Sequence, residues 1–358
     1  MSPLATFARV ILLACALPLP LLAQSKTVPN GKRTFAADSF WVREWVRGNS
    51  KEPDLLTEPR HVVAAHGIVV VLDDGTREIT AFDARTGQSR FNLQAKGEGP
   101  GEFRRPLLIA ATQSGFAVVD QATSRVTAFD SLGRLQWNAP LLDAVSSNGI
   151  CVLRRGLLIS KTSGAIGSIL LSDTTGRLLS RRTLDERGRK ADDLAWSTHV
   201  TGPDASDNCV FARQYGANWY VVSPSGPLAM HTYIEAGSEP AVNTKQAKKG
   251  KVSGKQIVEV THTTDADPIA SNAMLLGDTL IVRATGSGRN QYRLLDYYVI
   301  SSGAYLYSRR LPLAPNAVTV GPNGTFYALG IGEESAGIWA LKPSLKRPPP
   351  PPPAPRKP

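Results

Sequence analysis

At 358 residues the chain is too long for one small domain, and no long amphipathic helical pattern appears in it. Lys and Arg outnumber Asp and Glu by 41 to 30, but five cations fall in one stretch (Lys245, Lys248, Lys249, Lys251, Lys255) and five near the C-terminus (Lys342, Lys346, Arg347, Arg356, Lys357). With these and Arg9 set aside the body carries 30 of each sign, and the basic stretch holds no aromatic residue, so nucleic acid is excluded as the expected partner.

Arg9 precedes the apolar run Val10 to Leu22, which ends in the small residues of Ala23-Gln24-Ser25, the pattern of an export leader over 1–25. Pro18 and Pro20 interrupt the run, and it is short for a bilayer span. The expected location is therefore extracytoplasmic, periplasmic or secreted, with no transmembrane helix once the leader is removed. Leu12-Leu13-Ala14-Cys15 has the form of a lipoprotein box, but more apolar residues follow where a polar tether belongs, so anchoring through Cys15 is the lesser alternative.

Internal repeats come next. Gly67-Ile-Val-Val-Val-Leu-Asp-Asp-Gly75 precedes Glu78-Ile-Thr-Ala-Phe-Asp83, and Gly115-Phe-Ala-Val-Val-Asp120 precedes Arg125-Val-Thr-Ala-Phe-Asp130. Weaker copies begin at Gly156, Cys209, Asp278 and Gly321. Each has an apolar run, a turn, a second run and a Gly-containing turn. Sheets of three to four antiparallel strands recurring about every 40 to 50 residues read as propeller blades. Asp83, Asp130 and Asp173 precede the Gly turns, where a carboxylate fixes the bend by accepting backbone amides; they are not taken as ligands.

Between the first two units lies Lys96-Gly-Glu-Gly-Pro-Gly-Glu-Phe-Arg-Arg-Pro106. Gly97, Gly99 and Gly101 permit a close backbone approach or positive φ, Pro100 stiffens the bend, and Phe103 is its large apolar anchor. This string resembles the G-x-G-x-G-x-F-x-x-P junction of NHL-repeat and related six-bladed β-propeller proteins of bacteria. Gly97, Gly99, Gly101, Phe103 and Pro106 are accordingly read as a structural junction.

The expected fold is all-β: a six-bladed β-propeller of four-stranded antiparallel blades over 34–342. Its last unit lacks an outer strand, while Ser39-Phe-Trp-Val-Arg-Glu-Trp-Val46 alternates like a strand with no partner nearby, so an N-terminal strand is expected to close the ring, with Trp41 and Trp45 packed between blades. A Lys-rich loop at 244–255 and a Pro-rich disordered tail at 343–358, with Pro348 to Pro353 unbroken, stand outside the body.

Cys151 and Cys209 each open an apolar run, and equivalent places in consecutive repeats would bring them together as a disulfide in an oxidising compartment; two separate buried thiols are the alternative. His61, His66, His199, His231 and His262 show no zinc spacing, and no nucleophile elbow or phosphate loop is present. Arg104, Arg105 and His199 are the candidates for a ligand-binding face. The expected role is a non-enzymatic binding scaffold for a protein or glycan of the cell envelope, acting as a monomer through the loops of one face and without a cofactor. The alternative is a metal-dependent hydrolase or lyase with one divalent ion, such as Ca or Zn, in the central channel, held by residues from different blades.

Overall fold

A computed structural model of the protein describes residues 23–24, 31–36, 40–48, 52, 55–94, 97, 99, 101–141, 147–161, 168–183, 198–235, 242–252, 255–264, 268–331 and 336–344. Cys15, most of the expected leader and the row of prolines lie outside them.

Six four-stranded antiparallel blades stand in a ring, and the short segment Ala23–Gln24 adds a parallel edge to the sheet of blade 4, against Ala229 and Met230. Blade 1 comprises Pro59–Ala65, Ile68–Asp73, Glu78–Asp83 and Ser89–Gln94, and blade 2 comprises Pro106–Ala111, Gly115–Asp120, Arg125–Asp130 and Leu135–Pro140. Blade 3 runs through Ser147–Leu153, Gly156–Lys161, Ser168–Ser172 and Leu178–Thr183, and blade 4 through Thr198–Thr201, Cys209–Arg213, Asn218–Ser223 and Gly226–Thr232. Blade 5 is Ala270–Leu276, Thr279–Ala284, Leu294–Val299 and Tyr305–Arg310. Blade 6 has Ala317–Val320, Phe326–Ile331 and Ala336–Ser344, and takes its outer strand, Phe40–Gly48, from the N-terminal end of the chain. The register runs from Phe40 opposite Ser344 to Gly48 opposite Gly337, so the expected closure is observed.

The composition of each strand follows its place. Second strands lie between two neighbouring blades and read as unbroken apolar runs: Ile68, Val69, Val70, Val71 and Leu72 are all fully buried. Outer strands face solvent and alternate, as in Ser89–Gln94. The core is accordingly divided into wedges between blades. Phe82, Val69, Tyr327 and Leu329 fill the wedge between blades 6 and 1, and Phe103, Phe116, Val70 and Leu72 fill that between blades 1 and 2. The junction glycines sit close to Glu102: a Cβ on Gly97 would lie 2.3 Å from its carboxylate, and the Gly99 amide donates to it at 2.9 Å.

Turn aspartates recur with one geometry. Asp83 accepts the amides of Arg85 and Thr86 and pairs with Arg90; Asp130 accepts those of Leu132 and Arg134 and pairs with Arg134; Asp173 accepts those of Thr175 and Arg177 and pairs with Arg177. These hydrogen bonds hold the carboxylates below their ordinary pKa, with the Arg90 bond leading at Asp83.

Two local features differ from expectation. Residues 244–252 and Lys255 belong to a hairpin, Val242–Val252 paired with Lys255–Thr264, inserted between blades 4 and 5 as its own two-stranded sheet. Lysine content suggests a loop, but the second arm carries Ile257, Val258, Val260 and Thr261, whose β-branched side chains favour extended backbone. The first two residues of the proposed tail, Pro343 and Ser344, complete the closing strand pair.

Candidate functional site

The innermost strands of all six blades enclose a cavity of about 590 Å³. Val62, Ile109, Ile150, Val200, Met274 and Val320 contribute apolar side chains to its wall, beside exposed polar surface of nearly equal extent. Polar side chains are few: His61, His199, Asn272, Thr201 and Thr319 line it, with Asp204 beyond the end of the blade 4 inner strand.

Strand register places three of these at one level. His61 stands opposite Leu72, His199 opposite Ala212 and Asn272 opposite Arg283; each partner is the penultimate residue of its blade's second strand. Leu108 and Gly149 occupy the same place in blades 2 and 3, opposite Val119 and Ser160. Blades 1 and 4 face one another across a ring of six, so the imidazoles of His61 and His199 come from opposite sides of the channel near the mouth where the inner strands begin.

Both imidazoles are held neutral at ordinary pH. Burial pushes His61 down to about 4, and Arg60 adds to the shift while Asp74 opposes it. Burial likewise brings His199 to about 4, reinforced by Arg283 and opposed by the Ala270 backbone. The Nε2 atom of His199 is fully buried and has no hydrogen-bond partner among the described residues.

Arg283 stands behind the belt. Its Nε donates to Ser271 Oγ at 2.8 Å, Nη1 donates to the Pro315 carbonyl, and Nη2 donates to the carbonyls of Asn316 at 3.1 Å and Ser271 at 3.3 Å. These contacts fix it between blades 5 and 6. Burial lowers its pKa to about 10, and no carboxylate among the described residues pairs with it. Asn272 is anchored on the same side: its Nδ2 donates to the Val318 carbonyl, and its Oδ1 accepts the Ala273 amide at 2.8 Å.

Of the residues singled out in the sequence, His199 lines the channel. Arg104 and Arg105 do not. They lie just before the blade 2 inner strand, at the rim of the same face, where their backbone amides donate to Asp120 at 2.6 and 3.1 Å. Phe103 is buried with its ring edge-on to Phe129, and Gly101 has φ +83°. Cys151 and Cys209 form a disulfide with Cα atoms 6.2 Å apart. They are not equivalent in their repeats, since Cys151 is on the inner strand of blade 3 and Cys209 on the second strand of blade 4. His61, Asn272 and Arg283 were not singled out as ligand groups by sequence reasoning. Among the described residues no three His, Cys, Asp or Glu side chains gather as a metal-binding set, and no helix is long and apolar enough to cross a membrane.

A six-bladed propeller with a ligand-sized central cavity is the class that fold and site define. The family profile of the outer membrane protein assembly factor BamB matches residues 36–287, and the chain belongs to that family. No curated protein matches it. Among solved structures it is similar to a putative exported protein from Bacteroides fragilis, with 10% identity, TM-score 0.56, and coverage of 88% of this chain and 100% of that one. It is also similar to a member of the duf4221 family from Bacteroides vulgatus, with 9% identity, TM-score 0.50, and coverage of 86% and 100%. At such identities the likeness shows the fold alone.

Proposed function

We propose that the protein is a non-enzymatic binding propeller of the cell envelope. It holds a ligand in the central channel and offers the loops around that mouth to an extracytoplasmic protein partner. The observation that carries this reading is the channel, a cavity of about 590 Å³ lined by apolar and polar surface, with His61, His199 and Asn272 at one level. The family's name, that of an outer membrane protein assembly factor, supports an envelope protein as partner. Within the propeller class, the junction at 96–106 supports a relationship to NHL-repeat proteins.

A photo-crosslinking residue in place of Arg105, at the rim, or of Asn92, on the outer strand of blade 1, tests the assignment in cells. Discrete adducts from position 105 and none from 92 are expected. Adducts from 92 alone reject the face. Elemental analysis of the dialysed protein, with unfolding measured with and without chelator, addresses the alternative: a stoichiometric divalent ion whose removal lowers Tm replaces the scaffold reading with the metal-dependent hydrolase or lyase.

A further inference from the structure

We infer that the hairpin between blades 4 and 5, Val242–Val252 paired with Lys255–Thr264, binds the surface of an anionic lipid bilayer through one of its two faces. This contact is independent of the channel and of any ligand held there.

Charge is concentrated in the hairpin and then sorted by its pairing. The body is charge-balanced, whereas the two arms hold Lys245, Lys248, Lys249, Lys251 and Lys255 against Glu259 alone. Successive residues of a strand belong to opposite faces, and directly opposed residues share one. The register therefore sets Lys245, Lys249 and Lys251 on one face, opposite His262, Val258 and Gln256, with no carboxylate among them. On the other face Lys248 stands opposite Glu259 and Lys255 opposite Val252. The first face carries cations only, and the second is partly neutralised.

Distance keeps that field from being cancelled. Lys249 is seven residues beyond Val242, about 24 Å of extended strand from the base, and Lys251 is further out. Glu239, Asp265 and Asp267 flank the base, outside the ~10 Å over which exposed charges act in 0.1 M salt.

The neighbours of the lysines favour a bilayer over other anions. Val258 and Val260 belong to the same face, the latter opposite Ala247. Cations interleaved with aliphatic residues suit a headgroup boundary, where the lysines meet lipid phosphates and the aliphatic groups lie just beneath. A soluble acidic protein would use the lysines alone, and a nucleic acid would call for aromatic platforms, of which the arms hold none. The hairpin is a sheet of its own, so it can lie along a surface without disturbing a blade.

Flotation of the protein purified after export, with vesicles of phosphatidylcholine alone or mixed equally with phosphatidylglycerol, tests the inference. Binding to the mixed vesicles only is expected, with release as salt rises from about 0.05 to about 0.5 M. Lys245→Gln, Lys249→Gln and Lys251→Gln together should weaken it at least about tenfold, and Lys249→Gln with Lys251→Gln serves should the triple variant fail to fold. Removing as many cations from the C-terminal end, by Arg347→Gln, Arg356→Gln and Lys357→Gln, should change it less than about threefold. Val258→Ser with Val260→Ser should weaken binding several-fold and leave its salt dependence in place. Equal binding to both kinds of vesicle, or an equal loss in the two triple variants, overturns the assignment to this face. Binding to polyglutamate but not to mixed vesicles replaces the bilayer with an acidic protein, and binding to neither rejects the hairpin as an anion-binding surface.

Discussion

Trp45, on the strand that closes the ring, donates its indole N–H to the backbone carbonyl of Ala84 in blade 1 at 3.1 Å. Its ring lies 5.7 Å from that of Tyr327 in blade 6, and Gly87 packs beneath it so closely that a Cβ there would stand 2.6 Å from the indole. One residue thus joins the first blade, the last blade and the N-terminal strand. Trp41 does the corresponding work toward blade 5, donating to the Arg310 carbonyl at 2.7 Å with its ring edge-on to Phe326.

Trp45→Ala should therefore destabilise the whole ring, by about 3–5 kcal/mol as for other large-to-small core substitutions. Gly87→Ala should be harmful at the same place, because it adds a Cβ against the indole at a residue with φ +69°. Urea unfolding measures both. A loss below about 1 kcal/mol for Trp45→Ala would mean that the closure is carried elsewhere.

The closing strand was legible because Ser39 to Val46 alternates and the last repeat lacks a fourth strand; both facts are local. The blades were legible for the same reason, through the duplicated Thr-Ala-Phe-Asp ending at Asp83 and Asp130. The channel belt was not. His61, His199 and Asn272 are widely separated in sequence, and the loop after the inner strand of blade 4 is longer than those of blades 1 and 5, so their common level appears only when each is counted against its second strand. Arg283 was hidden for a different reason: its partners are backbone carbonyls from another blade, which leave no mark in residue types. The disulfide joins non-equivalent strands, which repeat alignment alone does not anticipate.

Arg33 extends the N-terminal clamp to blade 5. Its Nε and Nη2 donate to Asp296 at 3.0 and 2.9 Å, and Glu235 pairs with it at 2.6 Å. Burial works against the guanidinium charge, but these two carboxylates outweigh it and raise its pKa. Arg33→Ala leaves the Asp296 carboxylate buried with Ser308 Oγ as its remaining side-chain partner, and should destabilise by about 3 kcal/mol. Adding Asp296→Asn should recover part of that loss in a double-mutant cycle.

Acid should act in two windows. His61 and His199 have folded pKa values near 4 against an ordinary 6.5, so the unfolded chain takes up their protons first. Their contribution is complete above pH 6.5 and is lost as pH falls from there toward 4, by roughly 3 kcal/mol for each at most. Burial also lowers His231, which acts in the same direction. The turn aspartates Asp83, Asp130 and Asp173 have lowered values, so their stabilisation is present above the ordinary carboxylate pKa of 3.8 and disappears only below it. Unfolding free energy measured against pH should flatten in the upper window alone for His199→Gln.

Replacing both Cys151 and Cys209 by Ser removes a cross-link spanning 58 residues of chain and should lower stability by about 2–5 kcal/mol. Both cysteines are buried, so reductant should have little effect on the folded protein over the time in which it readily reduces the unfolded chain. Thiol labelling after treatment under folded and denaturing conditions distinguishes the two.

The central claim is that ligand occupies the channel. Thr319, on the inner strand of blade 6, lines it and is only half-buried, so Thr319→Trp fills the cavity while leaving the wedges between blades intact. Calorimetric titration of wild-type protein and this variant with 1-octanol, a small uncharged amphipathic probe, is the most direct measurement. The account predicts that the variant keeps its unfolding midpoint and loses the binding heat. Undiminished affinity in the folded variant would contradict it.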